Sequence, residues 1–136
     1  MEEGKFEMLH KDLGRAINSF KSSLTVRLLN YGEIEQDLMI NGQIQKFEYN
    51  IELLWKLIKA YFQEKRGIRY QFPKDNIKAF FVDERIDEET YLILIDALNS
   101  RNILSHLYKE TFFEEIKPKL NGYAKAIGTA YAAFEV

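Results

Sequence analysis

Residues 100–108 bring an arginine, an amide, two hydroxyls, an imidazole and a phenol together within nine positions. Arg101 carries a permanently charged fork of donors that suits a phosphate. His106 is an imidazole, a group that can take a proton from a ribose 2′-hydroxyl or return one to a leaving oxygen. Asn102 can orient the histidine or a phosphate oxygen. This segment therefore has the groups needed for acid–base chemistry on a phosphodiester.

If this segment is a helix, Arg101 and His106 lie on different sides of it. Asn102 and His106 are four residues apart and share one row, as do Arg101 and Ser105, but Arg101 and His106 project about 140° apart. For joint action the helix must end or bend near Ser105, or a second copy of the chain must supply one partner. The alternative is that both cations only satisfy carbonyls at a helix C-terminus. Residue types alone favour that alternative.

A second cluster lies at Glu48, Glu52, Trp55 and Lys56. Glu48 and Glu52 are one turn apart and could act as paired carboxylates or metal ligands. No third ligand is close in sequence, which favours a solvated helix face. Glu52 and Lys56 stand in the favourable order for an exposed ion pair worth about 0.2–0.5 kcal/mol.

The aromatic and basic residues near this cluster have a less specific meaning. Trp55, Tyr49 and Tyr61 are interpreted as core or interface residues rather than as platforms for nucleic-acid bases. A modest basic strip for phosphate can form from Lys56, Lys59, Arg66 and Arg69, although acidic residues dilute it. His10 has no polar companion in sequence and is interpreted as a surface residue.

Composition restricts the classes of protein. The 136 residues fit one domain, 1–136, and 46% hydrophobic with 29% charged residues indicates a folded rather than a disordered chain. No cysteine is present, which excludes disulfides and thiol nucleophiles, and a net charge of -2 leaves any contact with RNA to a local patch. No apolar run is long enough for a membrane span, so we predict a cytoplasmic protein. We predict no metal site and no cofactor.

Hydrophobic periodicity predicts an all-α, up-and-down antiparallel four-helix bundle with one additional short helix. The expected helices span about 3–29, 41–66, a short stretch from Pro73, 87–102 and 111–134. Gly32 and Gly67 are expected to end the first two, and Asp87 to cap the fourth. Pro118 should kink the last helix or mark its true start.

Two segments together resemble a known family. Residues 41–56 are similar to the second-helix signature of the nucleotidyltransferase substrate-binding protein family, and residues 101–110 resemble its other signature. That family belongs to the HEPN superfamily of helical bundles. The spacing Arg101-x4-His106-x-Tyr108 is the HEPN mark of small proteins encoded beside minimal nucleotidyltransferases (MNT).

The resemblance implies a homodimer in which two copies of this motif meet at a cleft, often a metal-independent ribonuclease. Arg101 would hold the scissile phosphate, His106 would be the acid–base and Asn102 would orient them. It also implies a cognate minimal nucleotidyltransferase that acts as antitoxin to this toxin and can attach AMP to Tyr108. The alternative is a non-catalytic substrate-binding subunit of a two-component nucleotidyltransferase. RNA and nucleotides are the ligands implied, with supporting or binding roles for Ser105, Glu48, Glu52, Trp55 and Lys56.

Overall fold

The computed structural model describes residues 4–106 and 109–134, and within those ranges it contains α-helices and no β-strand. The all-α prediction is therefore confirmed. The helices are α1 (Lys5–Ser23), α2 (Glu33–Arg66), α3 (Pro73–Val82), α4 (Glu88–His106), α5 (Lys109–Ile116) and α6 (Leu120–Ala132), with 3₁₀ turns at Leu28–Asn30 and Lys117–Lys119.

The first two helices run antiparallel. Near one end the Gln43 side chain donates to the Ser23 carbonyl at 2.9 Å, and near the other the Phe6 N–H donates to Glu64 at 3.0 Å. Rising residue numbers in α1 therefore meet falling numbers in α2. This pairing is the largest helix–helix interface of the bundle.

Helix α6 returns antiparallel along α1, and glycines make the approach close. A Cβ atom at Gly14 would lie 2.7 Å from the Tyr131 hydroxyl oxygen, and one at Gly128 would lie 2.9 Å from Lys21 Nζ. A side chain at either position would displace the end of the Tyr131 or Lys21 side chain that now lies over the glycine.

One apolar face of each main helix fills the interior. Burying such a side chain fully is worth about 1.5–3 kcal/mol relative to leaving it exposed. The stripe predicted for α2 is buried throughout, as Ile44, Phe47, Ile51, Leu54, Ile58 and Phe62. Phe47 stacks on Tyr123 with ring centroids 4.9 Å apart, which fixes α6 against the middle of the bundle.

The boundary between α1 and α2 differs from the prediction. Helix α1 ends at Ser23, where the Ser23 hydroxyl donates to the Phe20 carbonyl at 2.6 Å and competes with further helix. Gly32 has φ -72°, so it is not a left-handed stop; it precedes α2, and its N–H donates to the Glu35 carboxylate at 3.3 Å. The expected connector from Glu33 to Ile40 is helical.

The expected helix start at Asn41 was consequently wrong. The Asn41 side chain donates to the Asp37 carbonyl at 2.8 Å inside the helix, as a mid-helix amide can. Gly42 costs about 1 kcal/mol relative to alanine in a helix interior. That cost is smaller than the burial of the apolar stripe that follows it, so α2 continues.

The boundaries at Gly67, Pro73 and Asp87 agree with the prediction, whereas α4 continues past Asn102 to His106. Gly67 follows α2 with a left-handed φ of 65°, and α3 begins at Pro73. Asp87 Oδ1 accepts the Thr90 N–H at 2.8 Å and caps α4. Pro118 falls in the 3₁₀ turn that separates α5 from α6, so it divides the expected last helix in two.

The start of α2 and the turn before it expose an apolar stripe. Leu29 is 93%, Ile34 79% and Leu38 67% exposed, while Glu33, Glu35 and Asp37 lie between them in sequence. In the described parts of the chain, no helix has the length and hydropathy needed to cross a membrane.

Candidate functional site

A buried hydrogen-bond network fixes the second half of α4 against α6. The Tyr123 hydroxyl lies 2.5 Å from Asp96 Oδ2 and 2.8 Å from Ser100 Oγ. Burial, reinforced by the bond to Asp96, raises the pKa of Tyr123 well above its ordinary value. The phenol therefore stays protonated and donates to Asp96, and Ser100 donates to the phenol oxygen. Because Ser100 is 3% exposed, this network sets the rotation of α4 at the residue before Arg101.

Arg101 is held across the groove between α4 and α2. Its Nε lies 3.3 Å from Glu52 Oε2, and its Nη1 donates to Ser105 Oγ at 2.7 Å. The Ser105 hydroxyl in turn donates to the Arg101 carbonyl at 3.1 Å. The buried Nε does not meet hydrogen-bond geometry with Glu52, so their contact is an ion pair. Nη2 makes no hydrogen bond to the part of the chain that is described.

Glu52 joins two helices through three partners. Besides Arg101, its Oε2 accepts the Trp55 indole N–H at 3.1 Å, and its Oε1 lies 3.4 Å from Lys56 Nζ. The Glu52–Lys56 pair predicted from spacing is thus confirmed. We call Glu52, Trp55, Lys56, Arg101 and Ser105 the Glu52 cluster.

The remaining predicted residues lie outside this cluster. Asn102 and His106 are both exposed at the end of α4. All residues from Arg101 to His106 are helical, so within one protomer Arg101 and His106 project about 140° apart. Tyr108 lies outside the described residues.

The carboxylates of α2 have the residue type of metal ligands but not the surroundings. Glu48 is half-buried one turn before Glu52. Over residues 4–106 and 109–134, no group of three histidine, aspartate or glutamate side chains is placed to share a metal ion. Glu52 instead has three cationic or N–H partners, which use its oxygens within the protein.

The interpretation of His10 as a surface residue was wrong. His10 is half-buried and stacks on Tyr131 with ring centroids 4.5 Å apart, and burial lowers its pKa. Of the residues interpreted as core or interface, Tyr61 is buried, whereas Tyr49 is 55% exposed and therefore not in the core; its place at an interface stays a prediction. Sequence reasoning also missed Ser100 as a network member. Its position three residues after Ala97 on the inward face of α4 was the available signal.

Comparisons with known proteins agree with the helical architecture. A crystal structure of a protein from Thermus thermophilus superposes with a TM-score of 0.75 at 22% sequence identity, covering 88% of this chain and 96% of that one. At that identity the likeness concerns the fold alone. No curated protein matches the chain.

A family model also matches almost the whole chain. It is described as "Nucleotidyltransferase substrate binding protein like" and covers residues 8–136. That range contains both signature segments and every residue of the Glu52 cluster. The chain belongs to this nucleotidyltransferase substrate-binding-like family.

Proposed function

We propose that this protein is the HEPN-type partner of a minimal nucleotidyltransferase and acts as a metal-independent endoribonuclease. The observation that carries the proposal is the end of α4. Asn102 and His106 are exposed there on one row, and Arg101, which projects from another side of the same helix, is already oriented by Glu52 and Ser105. An arginine held in advance loses less conformational entropy when it binds a phosphate.

The reaction needs only these groups and the RNA. His106 as base takes the proton of a ribose 2′-hydroxyl, and the 2′-oxygen forms a bond to the adjacent phosphorus. The bond from phosphorus to the 5′-oxygen breaks, and that oxygen takes the proton that His106 accepted, so the histidine is regenerated. Arg101 stabilises the additional negative charge on the phosphate oxygens. The products are a 2′,3′-cyclic phosphate and a 5′-hydroxyl.

A second copy completes the site in this proposal. Because Arg101 and His106 diverge on one helix, the arginine of one protomer would act with the histidine of its partner. Mixing Arg101→Ala with His106→Ala protein tests this directly, since each heterodimer regains one intact site. Random exchange should restore about a quarter of the wild-type rate. No recovery after exchange would place both groups in the same protomer.

RNA cleavage by the purified protein in the presence of a chelator is the primary test. We expect His106→Ala and Arg101→Ala each to lose cleavage by about 10²-fold or more, without loss of folding. Asn102→Ala should have a smaller effect. Equal cleavage by wild type and both variants would show that the activity does not belong to this site.

Matched controls exist on the same surface. Asn99 is exposed on α4 one turn before the site, so Asn99→Ala repeats the chemical change of Asn102→Ala. Arg27 is exposed after α1, so Arg27→Ala removes a positive charge elsewhere. Both should retain wild-type cleavage.

The partner enzyme provides the regulatory part of the proposal. The Tyr108 hydroxyl would attack the α-phosphate of ATP, gaining AMP and releasing pyrophosphate. Mass spectrometry after incubation with the cognate nucleotidyltransferase and ATP should find one AMP on the wild type and none on Tyr108→Phe. Modification should suppress RNA cleavage, as expected for a toxin and its antitoxin.

The second candidate is a non-catalytic binding subunit that docks on the nucleotidyltransferase. The exposed stripe of Leu29, Ile34 and Leu38, bordered by acidic residues, favours it. A partner surface that is apolar at its centre and basic at its edge would complement both the apolar stripe and its acidic border. Leu38→Glu should abolish co-purification with the transferase. Leu92→Glu, at a 56% exposed leucine of α4, should not. Complex formation without RNA cleavage would select this candidate.

A further inference from the structure

We propose that the groove beside Trp55, between α1 and α2, is a nucleotide-binding site in which the base stacks on the indole and lysines hold the phosphate. This site is separate from the end of α4, and the proposal does not depend on RNA cleavage. It rests on a cavity, an excess of unpaired positive charge and an aromatic surface found in the same place.

The cavity has the size of a small-molecule site. Its volume is about 550 Å³, against about 470 Å³ for the groove farther along the same two helices. Pockets for small ligands usually span about 300–1,000 Å³. Lys5 and Leu9 of α1 form one wall, and Trp55, Lys56 and Lys59 of α2 form the other.

The charge in this groove is not balanced. Lys56 pairs with Glu52, but Lys5 and Lys59 have no carboxylate within ion-pair distance among the described residues. Among those residues the only acidic one lining the groove is Glu64, and its carboxylate accepts the Phe6 N–H at 3.0 Å. The start of α1 adds partial positive charge from its backbone N–H groups. An anion is therefore the complementary ligand.

The indole explains why the ligand should carry a base. Lys56 Nζ and Lys59 Nζ each lie 6.0 Å from the Trp55 ring centroid, so both ammonium groups lie over the aromatic surface. Lysines that move to a phosphate would free this surface for a base. Stacking on an aromatic side chain is worth about 1–3 kcal/mol per base. A nucleotide provides both a phosphate for the lysines and a base for the indole.

The groove also adjoins the Glu52 cluster. Trp55 donates its indole N–H to Glu52, and Glu52 contacts Arg101. A nucleotide in the groove could be free in solution or part of an RNA strand that continues to Arg101. The two sources share the same chemistry and are separated by the test below.

Trp55 is the only tryptophan in the chain, so tryptophan fluorescence reports on this groove and on the adjoining Glu52 cluster. Wild-type protein is titrated with ATP, with a short 2′-O-methyl RNA that resists cleavage, and with inorganic triphosphate, which has no base. We expect saturable quenching by ATP or by the RNA. Triphosphate should compete with the quenching ligand without reproducing the full quench, because it cannot stack.

Lysine variants test the phosphate contacts. Lys59→Ala and Lys5→Ala should each weaken binding of the quenching ligand by about tenfold, the effect of losing one charge-assisted contact. Lys125→Ala, at an exposed lysine of α6, should leave the affinity unchanged. Unaltered thermal unfolding of the variants confirms that they are folded.

The outcomes are distinct. If ATP quenches the fluorescence of wild type and of Arg101→Ala equally, the ligand is a free nucleotide. Quenching by RNA alone, weakened by Arg101→Ala as well as by Lys59→Ala, identifies a strand that spans both sites. The proposal is overturned if none of the probes gives saturable quenching, or if the Lys5 and Lys59 variants bind as tightly as Lys125→Ala.

Discussion

Two ends of the bundle are held together by different means. Where α1 begins and α6 ends, rings pack on one another: His10 stacks on Tyr131, and Phe6 contacts Phe134 with centroids 5.8 Å apart. Where α4 ends and α6 begins, the contact to Tyr123 is a directed hydrogen-bond network. The aromatic end depends on buried area and tolerates the loss of a polar atom. The network end adds directed hydrogen bonds to the stacking of Tyr123 on Phe47, and it is the end that orients Arg101.

The largest difference in stability between the two ends is expected when one hydroxyl is removed from each. Tyr123→Phe leaves Ser100 Oγ buried without its partner, which should lower the free energy of unfolding by about 1–3 kcal/mol. Tyr131→Phe loses only a 3.3 Å contact to His10 Nδ1 and should cost less than about 0.5 kcal/mol. Urea denaturation of both variants measures the difference. Equal losses would mean that the stacking on Phe47, rather than the hydrogen bonds, holds the network end.

Low pH should destabilise the aromatic end, by less than Tyr123→Phe destabilises the network end. Burial lowers the pKa of His10 in the folded protein. Below about pH 6.5, His10 is therefore protonated more readily in the unfolded chain than in the folded chain, and protonation favours unfolding. The stabilising contribution of neutral His10 is present above that pH and is lost as the pH falls toward the lowered pKa. Unfolding free energies measured from about pH 7.5 to pH 5.5 should therefore fall more for the wild type than for His10→Asn. His106→Asn, which changes the exposed histidine, should follow the wild type.

The smallest effect is expected at the rim of the network end. Lys119 Nζ lies 3.3 Å from Asp96 Oδ2, but the two side chains are 50% and 49% exposed. Lys119→Ala should therefore lower the free energy of unfolding by less than about 0.5 kcal/mol, and the difference should vanish near 1 M salt. A loss comparable to that of Tyr123→Phe would show that Asp96 depends on the lysine rather than on the phenol.

The apolar face of each helix could be predicted from the sequence, but the helix ends less well. The repeat of 3.6 residues per helical turn places the apolar residues between Ile44 and Phe62 on one side of α2, regardless of the rest of the fold. The start of α2 was misplaced because Asn41 and Gly42 have the residue types of a helix start, and the outcome depended on burial farther along. Local chemistry did predict Asp87, Pro73 and Gly67, since each acts through its own backbone.

The candidate site was only partly predictable for the same reason. Glu52 and Lys56 meet because they are one turn apart on one helix. Glu52 and Arg101 meet because α4 packs against α2 in one register, which no local spacing specifies. The Ser100–Tyr123 bond likewise depends on how the Pro118 break directs α6 back across α4.

The long second helix has a consequence for backbone dynamics. In α2, Ile40 is partly buried against the core and Gln43 is the first fully buried residue, so the turns before Ile40 rely on local hydrogen bonds. Short helical segments without packing are marginal in water and open with little free energy. Amide deuterium exchange should therefore be fast over residues 33–39 and slow over residues 44–62. A partner that covers Leu38 would slow exchange in the first segment and leave the second unchanged, which maps the contact without any substitution.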